Sequence, residues 1–335
     1  IRKKFLIELR MSTLDTAKKA IEKEYEIFSK KFDGYFASDN ELLSAVNNYI
    51  LQKKGKQIRP IMALLAAKCL GDVNDSSYDG ATAIEMLHTA SLIHDDIVDE
   101  ADSRRGQKSV NNIWQNKVSV LVGDYLLSQA LNVASQTNSL EIIKSICSVG
   151  KKLTDGELIQ LYNSKNRTFN EEIYYNVIKK KTAVLFSTAC FIGAKSVSNN
   201  QQMINSLVDF GTIFGICFQI RDDIFDYLST EKEIGKPVGN DIREGKATLP
   251  LIYALNNTSE VKRNEIVDIL RKENKTNEEV EQLINFTVEK GGIEYASKKM
   301  KEFEKEGIKC LDSIPESDAK KALLMLLNYT IVREY

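Results

Sequence analysis

Two short acidic segments of this chain have almost the same sequence. Residues 93–99 read IHDDIVD and residues 220–226 read IRDDIFD, so both follow the pattern I-x-D-D-I-x-D. Each lies in an apolar stretch without proline, which predicts a helix. Residues four apart lie on the same side of a helix, so the first and third carboxylates of each segment share a face. The carboxylates are Asp95, Asp96 and Asp99, and then Asp222, Asp223 and Asp226.

Three carboxylates on one helical turn repel one another, and two such turns in apolar surroundings are costly without a compensating cation. Mg²⁺ suits such a site because it takes oxygen ligands, keeps several waters and typically binds one or two carboxylates plus substrate phosphates. A solvated acidic surface is the alternative for either segment alone. The matched pair in apolar surroundings favours a magnesium site.

Basic residues occur in four breaks of the helical pattern that lie near the acidic segments in the sequence. Arginine can bind two phosphate oxygens at once, whereas lysine supplies a point charge. Any one of these pairs alone is typical of a solvated surface. Together with Mg²⁺ and the carboxylates they predict a polyphosphate site, in which the metal neutralises the charge developing on a leaving diphosphate. The pairs are Lys56 and Arg59, Arg104 and Arg105, Lys180 and Lys181, and Lys236 and Lys246.

The two histidines are His88 and His94. His88 precedes Asp95 by seven residues, two helical turns along one face, where it could donate to a phosphate. A buried structural histidine is the alternative. The sequence contains no P-loop, no hydride-transfer fingerprint and no Ser-His-Asp spacing, so chemistry that requires a nucleophilic side chain is not indicated.

The composition is that of a soluble globular protein, with 43% hydrophobic and 28% charged residues among 335. A net charge of −1 gives no general attraction to nucleic acid, so we expect no nucleic-acid partner. Five scattered cysteines without a CxxC pair argue against disulfides and zinc and indicate a reducing, cytoplasmic compartment. We predict no transmembrane helix and no signal peptide, because neither kind of apolar run occurs.

Segments of helical periodicity alternate with short polar breaks, and no stretch alternates like a strand. Residues 102–106 are predicted to form a basic loop. The polar, glycine-containing stretch 229–248 follows the second acidic segment and is predicted to be a lid. We therefore predict one all-α domain over residues 1–335. Its helices are predicted at 12–32, 40–53, about 60–70, 79–100, 117–134, 140–162, 171–195, 201–228, 249–257, 260–273, 277–290, 293–312 and 318–333.

The motifs of this chain, taken in their order along the sequence, resemble those of the all-trans polyprenyl diphosphate synthase family over about residues 55–330. One DDxxD segment alone is a weak signal, whereas the ordered set is specific. The matching stretches are GKQIRP at 55–60, EMLHTASLIHDDIVD at 85–99, RRG at 104–106, GDYLL at 123–127, KT at 181–182, FQIRDDIFD at 218–226, and GK at 235–236 and at 245–246.

The resemblance implies an isoprenoid synthase-type bundle of long helices around a deep cavity, with both acidic segments at its mouth. It implies about three Mg²⁺ ions that hold an allylic diphosphate. Asp95, Asp99 and Asp222 would be the main ligands, supported by Asp96, Asp223 and Asp226. Arg104, Lys181 and Lys236 would hold the same diphosphate.

The resemblance also implies a second substrate, isopentenyl diphosphate, on Lys56, Arg59, His88 and Arg105. Thr182 and Gln219 would stabilise the developing allylic cation, and Lys246 would contact the leaving group or the closing loop. The implied reaction is ionisation, condensation and elimination, in which the released diphosphate can take the proton. The product, five carbons longer, would move down the cavity for another round.

The residues before the first acidic segment would form the floor of the cavity in this family. Ser91 and Ala90 lie four and five residues before Asp95, about one helical turn deeper. Both are small, and the first segment lacks the insertion of many short-chain bacterial homologues. We therefore expect a product of about C30 to C45, in the hexa- to nonaprenyl range, made for a quinone side chain.

Several alternatives remain at this stage. The chain could be a shorter-chain synthase of the farnesyl or geranylgeranyl type, or the catalytic subunit of a two-subunit synthase. A class I terpene cyclase usually carries a different second metal motif, and a non-catalytic partner subunit usually lacks some of the six aspartates. The resemblance implies a homodimer, and a long product makes weak membrane association plausible for its release.

Overall fold

The structure, a computed structural model, describes residues 14–166, 169–228 and 239–333. Within these ranges it has fifteen α-helices of defined bounds, a π-helical turn and one short hairpin, which confirms the all-α prediction. Lys236 and residues 229–238 of the predicted lid lie outside the described residues. The helices are α1 (Glu22–Gly34), α2 (Glu41–Leu51), α3 (Ile58–Leu70), α4 (Asp75–Val98), α5 (Val110–Gln136), α6 (Leu140–Asn166), α7 (Glu171–Ile178), α8 (Val184–Val197), α9 (Gln201–Leu228), α10 (Asn240–Arg243), α11 (Leu249–Asn256), α12 (Glu260–Leu270), α13 (Asn277–Glu289), α14 (Gly292–Cys310) and α15 (Asp318–Val332).

The basic segment predicted to be a loop forms an antiparallel hairpin instead. Strand β1 (Ser103–Arg104) pairs with β2 (Gln107–Lys108). Its two turn residues, Arg105 and Gly106, both have positive φ angles, 54° and 71°, which is the geometry of a tight two-residue hairpin. Strands of two residues are too short to show an alternating pattern, so periodicity could not predict them.

The first of two compact units contains the described residues up to Lys151, with Leu185–Gly211 and Cys310–Leu326. Helix α3 is buried on nearly all sides, as expected for a helix with an apolar sequence around its whole circumference. Gly193 of α8 lies so close to α3 that a Cβ there would come within 1.9 Å of the carbonyl oxygen of Ala63. The absence of a side chain at residue 193 therefore sets the packing distance between the two helices.

Helix α4, which carries the first acidic segment, begins earlier than its predicted start at residue 79. Asn74 accepts a hydrogen bond from the Ser77 N–H (3.1 Å), and the Ser77 hydroxyl accepts one from the Asn74 N–H (3.2 Å). This capping box satisfies donors that a helix otherwise leaves unpaired at its start, so the predicted loop is shorter. Helix α5 likewise begins at Val110, but its backbone breaks at Gln115 (φ 67°), just before the predicted start at residue 117.

The second unit contains Lys152–Val184, Thr212–Lys309 and the described residues from Leu327 onward. The start of α14 lies against α11, because a Cβ on Gly292 would come within 2.4 Å of the Pro250 carbonyl oxygen. The rings of Tyr253 and Tyr295 stack between the same two helices, with centroids 4.1 Å apart. These contacts fix the start of α14 against α11 in the second unit. The single domain over residues 1–335 stays a prediction.

One helix among the described residues, α9, is long and apolar enough to cross a membrane by length and composition. Half of its most apolar window is buried inside the protein. Buried core helices meet the same criterion, so the prediction of no transmembrane helix stays a prediction.

Candidate active site

The first acidic segment lies at the end of α4, where its three carboxylates have different exposures. Asp96 is buried, Asp95 is half-buried, and Asp99, which caps the helix, is exposed. The Asp96 carboxylate accepts a hydrogen bond of 2.7 Å from the Arg104 Nε and forms an ion pair with the same guanidinium. The hairpin therefore brings a predicted diphosphate-binding arginine onto the middle carboxylate of the segment.

Arg105, the next residue of the hairpin, lies against the backbone that precedes α3. Its Nη1 donates to the carbonyl oxygen of Lys53 (3.0 Å). A Cβ on Gly55 would lie 2.7 Å from the Arg105 Cζ, and Gly55 has a φ of 74°. The backbone angle therefore favours glycine at residue 55, and the Arg105 guanidinium occupies the space beside its Cα.

The other predicted phosphate-binding residues of this unit lie on α3, in the segment just before it, or on α4. Arg59, in the first turn of α3, places its guanidinium 4.7 Å from the centre of the Phe186 ring, a cation–π contact. Lys56 is exposed in the preceding segment, and His88 is buried on α4. The charges of Arg59, Arg105 and Arg104 all act on the His88 imidazole.

Burial, assisted by these three arginines, holds the pKa of His88 well below its usual value. His88 is consequently neutral near pH 7 and can donate one N–H without carrying charge. Glu85, one turn earlier, was not singled out as a functional residue from the sequence. It is buried, burial raises its pKa, and the charges of Arg59 and Arg105 oppose that rise.

Ala90 and Ser91, the predicted floor residues, lie on α4 between His88 and the acidic segment. Ala90 is buried, and Ser91 is half-buried with its hydroxyl bonded to the carbonyl oxygen of His88 (2.9 Å). Their positions on the helix are those expected, and their effect on product length stays a prediction.

The second acidic segment lies in the last turns of α9. Asp223 is buried, and both of its oxygens accept hydrogen bonds from uncharged groups. The Tyr174 hydroxyl donates to Oδ2 (2.6 Å) and the Gln219 amide donates to Oδ1 (2.8 Å). The Thr182 hydroxyl donates to the Gln219 Oε1 (2.6 Å). Two predicted site residues, Thr182 and Gln219, are thereby connected to the acidic segment.

The remaining two carboxylates of this segment have other partners. Asp226 accepts from the N–H groups of Asn240 and Asp241, each at 2.9 Å. Burial, together with the charge of Asp241, raises the pKa of Asp226 to about 7, although these hydrogen bonds oppose the rise. Asp222 forms an ion pair with Arg333, whose guanidinium lies 4.3 Å from the centre of the Phe218 ring.

The segment that carries Lys180, Lys181 and Thr182 is a π-helical turn, Lys179–Ala183. Such turns are rare and occur frequently at functional sites. Lys181 forms an ion pair with Glu157 and donates to the Gln160 Oε1 (3.2 Å). Lys180 pairs with Asp155 at 2.5 Å.

A cavity of about 170 Å³ lies in the second unit, and five predicted site residues line it. Lys181 and Lys246 supply positive charge to its wall, and Asp241 supplies negative charge. Lys246 is also ion-paired with Glu244. The predicted residues on its wall are Lys181, Thr182, Gln219, Asp223 and Lys246.

Four residues around these carboxylates were not predicted from the sequence: Glu85, Tyr174, Asp241 and Arg333. Glu85 lies on α4 with predicted residues, and Tyr174 precedes the predicted Lys180 by six residues. Asp241 lies within the predicted lid, so proximity in sequence was a usable signal for all three. Arg333 had none, since it lies 111 residues after Asp222.

The donor set fits Mg²⁺, although the described residues contain no converging group of three or more His, Cys, Asp or Glu side chains. Mg²⁺ commonly takes only one or two protein carboxylates and completes its shell with water and phosphate oxygens. Asp95 and Asp99 are spaced i, i+4, and Asp99 is exposed to solvent. Such a pair can supply oxygen ligands without a preformed cage.

Known proteins resemble this chain over nearly its whole length. The family model described as polyprenyl synthetase matches residues 40–287. An octaprenyl diphosphate synthase from Haemophilus influenzae is 33% identical over 97% of this chain and 98% of its own length.

Two solved structures confirm the isoprenoid synthase-type fold. A polyprenyl synthase from Caulobacter crescentus, complexed with calcium and isoprenyl diphosphate, is 29% identical and superposes with a TM-score of 0.91, covering 96% of this chain and 98% of that one. A geranylgeranyl pyrophosphate synthase from Bacteroides thetaiotaomicron is 40% identical with a TM-score of 0.84, covering 96% and 100%. The chain therefore belongs to the polyprenyl synthetase family of prenyltransferases.

Proposed function

We propose that this prenyltransferase condenses an allylic diphosphate, such as farnesyl diphosphate, with successive isopentenyl diphosphates to a product of about C30 to C45 for a quinone side chain. The observation that supports this most is the cavity wall of the second unit. It combines two lysines with a hydrogen-bonded row of oxygen acceptors. The lysines suit a diphosphate, and the fixed oxygens suit a developing cation.

Members of the family require Mg²⁺, and we propose that this chain binds about three ions through Asp95, Asp99 and Asp222, with Asp96, Asp223 and Asp226 in support. Bound there, Mg²⁺ would neutralise the negative charge that develops on the leaving diphosphate. The allylic diphosphate would be held by Arg104, Lys181 and Lys236, and Lys246 would contact the leaving group.

Isopentenyl diphosphate is assigned to the arginine cluster of the first unit, on Lys56, Arg59, His88 and Arg105. The neutral His88 can donate a hydrogen bond to a phosphate oxygen, and the arginines can neutralise the negative charge of the diphosphate. In the reaction the allylic C–O bond breaks and its electron pair leaves with the diphosphate. The double bond of isopentenyl diphosphate forms the new C–C bond, and a proton passes to the released diphosphate.

A single assay tests this proposal. The purified chain is incubated with labelled isopentenyl diphosphate and farnesyl diphosphate, with Mg²⁺ or with a chelator, and the products are separated by length. We expect extended prenyl diphosphates with Mg²⁺ and none with the chelator. Metal-independent extension would contradict the mechanism. A cyclic hydrocarbon without label would indicate a terpene cyclase, and inactivity of the chain alone would indicate that a second subunit is required.

Product length is the finer part of the proposal, because relatives of this chain carry both octaprenyl and geranylgeranyl names. We expect Ala90→Phe and Ser91→Phe to shorten the product, since an aromatic ring one turn below Asp95 fills the space into which the chain grows. Wild type prepared and assayed in parallel is the reference for product length. Unaltered products from both folded variants would refute the floor assignment.

We also propose a cytoplasmic homodimer with weak membrane association for product release. Helix α5 supports the dimer, because it exposes apolar side chains that include Leu121, 66% exposed, and Leu131, 38% exposed. Sedimentation of the wild-type protein and of Leu121→Arg tests the dimer, and the variant should sediment as the smaller species. Flotation with anionic vesicles tests the membrane association.

A further inference from the structure

A continuous row of hydrogen bonds crosses the second unit from α7 to the π-helical turn. Tyr174 donates to Asp223 at 2.6 Å, Gln219 donates to Asp223 at 2.8 Å, and Thr182 donates to Gln219 at 2.6 Å. All four side chains line the same cavity. The proposed function assigns no role to Tyr174, although Tyr174 forms one end of this row.

The hydrogen bonds of this row all run toward Asp223, which accepts at both of its oxygens. Gln219 turns its NH₂ group toward Asp223. Its carbonyl oxygen then faces Thr182, and the Thr182 hydroxyl must donate to it. The hydroxyl hydrogen of Thr182 therefore points toward Gln219, and the lone pairs of its oxygen point in other directions. A group that faces a positive charge must be oriented in this way.

Tyr174 occupies the second oxygen of Asp223 and restricts the rotation of the carboxylate. The Tyr174 ring is buried, and its hydroxyl donates to the Asp223 carboxylate across a short, buried hydrogen bond. Without that donor, the carboxylate plane is held only by Gln219.

We propose that Tyr174 is a positioning residue, which fixes the Asp223 carboxylate and through it turns the oxygens of Gln219 and Thr182 toward the allylic cation. This inference rests on the proposed function, because it assumes that a cation forms in this cavity. Tyr174 itself takes no part in bond making. It acts by keeping two acceptors in one orientation, so that they need not reorganise when positive charge develops.

The chain offers a matched control in the next residue. Tyr175 lies edge-on to Tyr174, with ring centroids 5.3 Å apart. Its hydroxyl is buried but has no hydrogen-bond partner among the described residues. Tyr174→Phe and Tyr175→Phe therefore remove the same oxygen atom from adjacent rings, and only the first breaks the row.

The test compares the binding of two stable substrate analogues at saturating Mg²⁺. One is an uncharged thiolodiphosphate of the allylic substrate, and the other is an ammonium diphosphate whose protonated nitrogen stands in for the cationic carbon. For Tyr174→Phe we expect the Kd of the ammonium analogue to rise about tenfold or more, as for loss of one hydrogen bond to a charged group. The Kd of the uncharged analogue should change less than about twofold.

Turnover should show the same split. Tyr174→Phe should lower kcat about 10- to 100-fold with little change in the KM of the allylic substrate, because the interaction lost is one made in the transition state. Tyr175→Phe should match wild type in both constants and both affinities. Melting curves without ligand check that each variant is folded.

Three outcomes would overturn the inference. Equal weakening of both analogues would mean that Tyr174 shapes the diphosphate site, and identical behaviour of the two variants would mean that the row has no effect. Loss of turnover with unchanged binding of the ammonium analogue would also contradict it. A wild-type enzyme that extends no prenyl chain would instead refute the proposed function, so the two failures are distinguishable.

Discussion

The two acidic segments have the same sequence pattern but very different surroundings. The buried middle carboxylate of the first, Asp96, is paired with the charged Arg104. Its counterpart in the second, Asp223, is held by the uncharged Tyr174 and Gln219. The last carboxylates differ as well. Asp99 is exposed at the end of α4, whereas Asp226 accepts two backbone N–H groups.

The difference shows how a repeated motif can acquire two tasks. A carboxylate beside an arginine is compensated before any metal or substrate arrives. A carboxylate among neutral donors is oriented but not neutralised, and burial together with the Asp241 charge raises the pKa of Asp223 well above its usual value. The second segment therefore bears an electrostatic cost in the ligand-free protein that the first does not.

The largest expected effect comes from replacing each middle aspartate by asparagine, because the two variants should move stability in opposite directions. Asp223→Asn removes a carboxyl group whose ionisation is opposed by burial and by the Asp241 charge, so we expect a higher Tm in metal-free buffer near pH 7.5. Asp96→Asn leaves the Arg104 charge without its partner and should destabilise the fold by about 1–3 kcal/mol. Activity with Mg²⁺ should fall about tenfold or more in both variants.

Melting curves and turnover rates measured on the same preparations check this prediction. A lower Tm for Asp223→Asn, equal to that of Asp96→Asn, would mean that the two carboxylates are equivalent after all.

The helices were predictable from the sequence because long apolar periodicity and polar breaks set them locally. The starts of α4 and α5 and the hairpin were not. The start of α4 depends on a capping box between Asn74 and Ser77, and the hairpin depends on two residues with positive φ angles. Such short-range hydrogen bonds and backbone angles leave little trace in hydrophobic periodicity.

The candidate site was predictable in its charged residues, since unusual clusters of carboxylates and cations stand out in a sequence. Tyr174 was not, because one tyrosine on a helix is equally compatible with ordinary packing. Arg333 was not, because its contact with Asp222 joins residues far apart in the chain. The residues that orient functional groups are therefore harder to find than the functional groups themselves.

A second prediction compares how closely a helix approaches a functional side chain in each unit. A Cβ on Gly123 would lie 2.3 Å from the His94 Nε2, beside the first acidic segment, and a Cβ on Gly156 would lie 2.8 Å from the Lys181 Cγ. The half-buried His94 imidazole lies at the end of its side chain and can rotate away, whereas a Cβ on Gly156 also meets the Lys180 Cβ at 2.9 Å, which the backbone holds in place. We expect Gly156→Ala to destabilise the fold by about 1–2 kcal/mol and Gly123→Ala by less.

Gly150→Ala serves as the control for both, because a Cβ at that position of α6 meets nothing within 4 Å. An alanine in a helix interior is favoured over glycine, so this variant should be more stable by about 0.5–1 kcal/mol. Urea unfolding of the three proteins measures the differences. A Gly156→Ala variant as stable as Gly150→Ala would show that the backbone carrying Lys180 and Lys181 moves aside freely.

The smallest effect concerns pH, and it distinguishes the segments through a residue that only one of them has. His88 lies seven residues before Asp95, whereas Gly215 occupies the equivalent position before Asp222. Burial and the charges of Arg59, Arg105 and Arg104 depress the pKa of folded His88 well below its ordinary value of 6.5. Below pH 6.5 the unfolded chain therefore binds a proton that the folded protein excludes, and stability is lost as the pH falls toward the folded pKa. One such proton contributes at most about 1.4 kcal/mol per pH unit.

His88→Gln removes this titrating group, so the unfolding free energy of the variant should fall less steeply than that of wild type between pH 6.5 and 5 (about the range in which the unfolded histidine titrates). Parallel curves from denaturant titrations across this range would mean that folded His88 takes up its proton as readily as the unfolded chain does.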